Sequence, residues 1–123
     1  MVTRTLPSLM IEIQEYLDES GDSAFGRWFR RIGPTAAAKV TTALDKMERG
    51  LMGDVKSVGG GVSEQRIHFG PGYRIYFGSV RDKHTIKIVI LLCGGSKEGQ
   101  NQDIKAAKAY WKEYKSRKRK GER

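Results

Sequence analysis

The chain has 123 residues, 38% hydrophobic and 30% charged, a length that suits one ordinary domain able to close a core without disulfides or a structural metal. Its aromatic content, Trp28 and Trp111 included, argues against a disordered chain. The formal charge of +9 favours polyanionic partners, and its distribution is uneven: residues 112 to 123 carry seven Lys or Arg and two Glu, so the body is only mildly basic.

Lone Cys93 can make no internal disulfide and reads as a small buried hydrophobe. Two histidines without ligand spacing indicate no metal, and no motif indicates a cofactor. The longest apolar run, Ile88 to Cys93, is far too short to cross a bilayer, and the N-terminus has an acidic flank where a secretory cleavage site would stand, so a cytoplasmic protein without membrane association is expected.

Along the chain, Leu9 to Tyr16 alternate loosely and read as an opening strand, with helix the competing assignment. Phe25, Trp28, Phe29 and Ile32 then fall on one helical face, a core stripe. Gly33-Pro34 ends that helix and starts a second, in which Ala36, Ala37, Val40, Ala43, Leu44 and Met47 form another stripe before Gly50 stops it. The two are expected to pair as a helical hairpin. Beyond Gly53 the period changes to two, with strands expected near 54–58, 62–69, 73–79 and 85–93. A last helix begins near 101–103 and buries Ile104, Ala107 and Trp111. This order predicts an α+β domain over residues 1–115 with a mainly antiparallel sheet, followed by a basic tail, 116–123, able to attract phosphate without regard to sequence.

The stretch HFGPGYRIYF, residues 68 to 77, carries the candidate chemistry. If Gly70, Pro71 and Gly72 form the loop, Phe69 pairs with Tyr73, His68 faces Arg74 and Arg66 faces Tyr76. Strand alternation then puts Arg66, His68, Arg74 and Tyr76 on one wet face and Ile67, Phe69, Tyr73, Ile75 and Phe77 on the other. Two adjacent cations want an anion between them. A phosphate is one candidate; the other is the carboxylate of Glu64, which would make the group an intramolecular charge cluster. For RNA phosphodiester cleavage, arginine suits the phosphorane charge, His68 suits proton transfer near neutral pH, and Tyr76 would stack a base or share a proton if cations depressed its pKa. Lys97 follows Gly94 and Gly95 in a glycine-rich turn without Walker spacing.

The segments GDVKSVGGGVSEQRIHFGPGYRIYF and ILLCGGSKEGQNQDIKAAKAYW resemble the phage-derived addiction-module killer proteins, a HigB-like branch of the RelE/ParE toxin superfamily. The resemblance spans most of residues 9 to 111. It implies a RelE-like fold, a small sheet with an N-terminal helical hairpin and a C-terminal helix. It also implies a toxin of a type II toxin-antitoxin system, held inactive in a hetero-oligomer by a cognate antitoxin of helix-turn-helix type, that inhibits translation by ribosome-dependent cleavage of mRNA as a metal-independent endoribonuclease. Arg74 matches a functional arginine of that branch, Arg66 lies where a cation occurs on the preceding strand, and Lys97 approximates the cation after the last strand. Two departures are visible: the region of Asn101 and Gln102 replaces a tyrosine of some relatives, and Glu64 stands where some have lysine. The fold is shared with toxins that poison DNA gyrase, and a non-catalytic RNA-binding remnant would keep the same basic face.

Overall fold

The computed structural model describes residues 11–83 and 86–121. Strand β1 (Ile11–Glu15) comes first, so of the opening strand expected from Leu9, the part before Ile11 lies outside the described residues. Helix α1 (Ala24–Arg31) starts where the Ser23 hydroxyl accepts the Gly26 amide at 2.9 Å, satisfying one of the free donors of the first turn. Helix α2 (Pro34–Glu48) begins on the proline, whose missing N–H costs nothing at that position.

Four strands follow: β2 (Asp54–Gly59), β3 (Val62–Ile67), β4 (Tyr73–Arg81) and β5 (Lys87–Ser96). A short 3-10 turn (Lys97–Gly99) leads into α3 (Gln100–Arg119). The described residues form an α+β domain with three α-helices and a five-stranded mixed sheet of order β1-β5-β4-β3-β2. β1 runs parallel to β5, and the other neighbours are antiparallel. Helix α3 crosses residue 116 without a break, so the first four residues of the expected basic tail are helical.

Both faces of the sheet are covered. On one, Ile75, Phe77, Val89 and Leu91 meet Phe25 and Trp28 of α1 and Val40 and Met47 of α2. On the other, Val62, Tyr76, Ile90 and Leu92 meet Ala107 and Trp111 of α3. Each of these apolar stripes removes its surface from water at about 25 cal/mol per Å².

Two tryptophans are seated directly on strand backbone. A Cβ added at Gly94 would lie 2.2 Å from the Trp28 ring, and one at Gly78 would lie 2.5 Å from the Trp111 ring on the opposite face. Gly94 and Gly95 are therefore not a turn, as their sequence implies. They pair with Ile75 and Arg74 and extend β5 to Ser96, so the glycine-rich turn expected there is strand.

The far end of α3 is tied to the exit of β1. The Tyr16 hydroxyl donates to Glu113 at 2.6 Å, Arg117 Nε donates to the same carboxylate at 3.0 Å, and Arg117 Nη2 donates to the Leu17 carbonyl at 3.0 Å. The Arg117 and Tyr16 hydrogen bonds hold the Glu113 carboxyl below its ordinary range. The folded form thus binds that proton less tightly than the unfolded chain, so this stabilisation is present at neutral pH and lost as pH falls through the carboxylate range. Urea midpoints measured from pH 7 to acid should fall less steeply for Glu113→Gln than for the wild type; parallel curves would remove Glu113 from the acid response.

Candidate functional site

Alternation along β3 and β4 does put Arg66 and Arg74 on one face, but the register differs from that expected. Ile67, not Phe69, pairs with Tyr73, so Arg66 faces Arg74 and Glu64 faces Tyr76. The cause lies in the loop. The Phe69 amide bonds back to the Ile67 carbonyl and Gly72 N–H to the Phe69 carbonyl, at 2.9 and 3.0 Å, so His68 and Phe69 belong to the turn. A shift of two residues keeps each side chain on its face while changing its partner.

The face is not wet. Helix α3 lies over it, leaving Glu64 and Tyr76 fully buried and only 10% of the Arg74 side chain exposed. Of the two anions that the paired cations call for, Glu64 is present. Its Oε1 accepts from Arg66 Nε at 3.0 Å, and its Oε2 accepts from Gln100 Nε2 at 2.9 Å and lies 3.4 Å from Arg74 Nε. The last contact is an ion pair without hydrogen-bond alignment, since Arg74 Nε has no hydrogen-bond partner among the described residues. Arg74 Nη1 reaches the Gly72 carbonyl at 3.4 Å, the same oxygen that takes the Lys97 amide at 2.9 Å. Arg74 and Lys97 therefore flank Gly72, with Lys97 exposed at the first position of the 3-10 turn.

Arg66 keeps 30% of its side chain exposed and is the arginine a solute can meet. His68 is 72% exposed, beyond the end of β3, where its Nε2 lies 2.7 Å from Asp54. Asp54 is also the cross-strand partner of Arg66, so the imidazole sits at the rim of the cluster rather than opposite Arg74.

Tyr76 departs most from expectation. Burial first, then the Glu64 and Asp103 charges, push its phenol well above the ordinary range, and Arg74 offsets this only in part. Although Glu64 is close enough to act on it electrostatically, the hydroxyl has no aligned hydrogen-bond partner among the described residues. Tyr76 is thus neither a base-stacking platform nor a cation-activated proton carrier; it is the floor beneath the ion pair. Cys93 next to it has its thiol pushed up to about 12, by burial and then by Asp103, which leaves it un-ionised at neutral pH.

Two polar residues of this site went unread in the sequence. Gln100 and Asp103 sit three apart at the start of α3, on the side that continues into Ile104 and Ala107, and that spacing was the available signal. Burial raises the Asp103 carboxyl pKa, and the group packs on Gly95, where an added Cβ would lie 1.9 Å from Asp103 Oδ2. Among the described residues no cluster of three His, Cys, Asp or Glu is placed to hold a metal ion, and no helix is long and apolar enough to cross a membrane.

The chain is 40% identical over 85 residues to an uncharacterized protein of Haemophilus influenzae, a match covering 68% of this chain and 82% of that one. The chain belongs to that protein's family. No family model matches it, and no solved structure does.

Proposed function

We propose that the protein is a RelE-like, HigB-like toxin of a type II toxin-antitoxin system, whose N-terminal helices pair as a hairpin and whose Arg66 site cleaves mRNA on the ribosome. The observation that carries this is the facing pair Arg66 and Arg74, with Lys97 beside it, at the end of the sheet where β3, β4 and α3 converge. In this reading a ribose 2′-oxygen, relieved of its proton by the Asp54-oriented His68, attacks the adjacent phosphorus. The P–O5′ bond breaks, the 5′-oxygen takes its proton from solvent water, and a 2′,3′-cyclic phosphate remains. Arg66 and Lys97 bear the developing negative charge, while buried Arg74 holds Glu64 in place under them. An antitoxin covering this basic end would silence it.

Because Arg74 is buried against Glu64, Arg66 is the better probe of chemistry. Arg66→Gln keeps a donor for Glu64, and primer extension on mRNA from expressing cells should show cleavage reduced about a hundredfold while the variant stays folded, with a smaller stability loss than Arg74→Ala. Wild-type cells with intact mRNA and accumulating gyrase-linked DNA breaks would replace the nuclease with a gyrase poison. One observation favours a non-catalytic RNA-binding protein instead: Glu64 already fills the space between the arginines. RNA binding with neither cleavage nor breaks would select it.

A further inference from the structure

Away from the Arg66 cluster, α3 carries Lys108, Lys112, Lys115 and Arg119 at spacings of four, three and four, which sets them along one side of the helix over about 16 Å. With Gly60 they line a cleft of about 410 Å³. Its opposite wall is Gly60, the middle of three consecutive glycines, 59–61, with positive φ. The missing side chains let the helix approach: a Cβ at Gly60 would lie 3.4 Å from Lys108 Cγ, and one at Gly61 would lie 2.7 Å from Trp111 Nε1. Among the described residues that line the cleft there is no carboxylate. Glu113, the acidic residue of this helical segment, is taken by Tyr16 and Arg117 on the side of β1.

Exposed Lys56 lies between the two basic regions. It pairs with Glu64 across β2 and β3, two residues from Asp54, which pairs with Arg66, and β2 runs from there to the glycine turn beneath Lys108. Cations therefore recur from Arg66 through Lys56 to Arg119.

We propose that this cleft binds the phosphodiester backbone of RNA, as a second, sequence-blind site that holds the strand extending from Arg66. Three of its four cations are lysines, point charges suited to backbone rather than to base edges. Its length matches about five phosphates of a strand carrying one charge per ~3.4 Å. An anionic membrane is the poorer fit. A helix that lies in a bilayer surface needs an exposed apolar face beside its charges, and here Ile104, Ala107, Trp111 and Tyr114 are turned into the sheet.

The choice of RNA over another polyanion rests on the function proposed for Arg66, and the test separates the two. Fluorescence anisotropy with a short labelled single-stranded oligoribonucleotide would compare the full-length wild type with a variant carrying Lys108→Gln, Lys112→Gln, Lys115→Gln and Arg119→Gln, between about 50 and 200 mM salt. The variant should bind about tenfold or more weakly at low salt, and its log-log salt slope should be shallower by roughly 3, at ~0.7 per lost cation. Lys112→Glu alone, at an exposed position, repeats the test should the quadruple variant melt early. Equal affinities and slopes overturn the proposal, as does tighter, cleft-dependent binding of duplex DNA or of phosphatidylglycerol vesicles. Cleft-dependent RNA binding by a wild type that cleaves no mRNA would leave this site standing and remove the nuclease. Cleavage with an unchanged salt slope would do the reverse.

Discussion

Arg74→Ala is expected to cost about 3 to 5 kcal/mol of stability, because it removes one partner of a buried ion pair and leaves Glu64 under-compensated in a site water does not reach. Arg66 and Gln100 remain as donors to that carboxylate, which keeps the loss from exceeding this range. Glu64→Gln should cost less, since the amide oxygen still accepts from neighbouring donors and no charge is left alone. Exchanging both members, Glu64→Leu with Arg74→Met, should recover most of the loss of Arg74→Ala, because the desolvation of two charges disappears with the charges. Urea midpoints at constant slope measure all three. A loss below about 1 kcal/mol for Arg74→Ala would mean that the pair behaves like a surface bridge and that α3 does not seal it.

Gly94→Ala and Gly78→Ala should each destabilise by about 3 kcal/mol, at the upper end for overpacking. A methyl group at either position lands 2.2 or 2.5 Å from an indole ring, and Trp28 and Trp111 are too buried to swing aside as the tip of a lysine would. The effects should differ in partner. Trp28→Leu should relieve Gly94→Ala and leave Gly78→Ala unrelieved, since the two indoles occupy opposite faces of the sheet. Additive losses across the Trp28 and Gly94 pair in a double-mutant cycle would contradict the seating described.

Much of the architecture was legible because it depends on period. The stripe Phe25, Trp28, Phe29 specifies a helix wherever it docks, and the alternation through Arg74, Ile75, Tyr76 and Phe77 specifies a strand with two unlike faces. The register was not, because Gly70-Pro71-Gly72 permits several loop lengths, and each two-residue shift preserves the faces that the alternation fixes. Nor was the burial of the charged face: Ile104, Ala107 and Trp111 announce that α3 covers something, without saying which side of the sheet it covers. That missing fact turned Tyr76 from an exposed phenol into a buried one, and Glu64 from one of two candidate counterions into the one found there. Gly94 and Gly95 read as a turn for a related reason, since nothing local reveals that an indole and a carboxylate require bare backbone above them.

The pairing of Ile11 with Lys87 makes β1 wait for β5, the last strand of the sheet in chain order. β2 to β5 can zip by successive hairpins between near neighbours, whereas β1 must close a long loop whose entropic cost rises with its length. Until it arrives, one flank of β5 shows unpaired amides and carbonyls beside Val89 and Leu91, and a nascent chain is at its stickiest there.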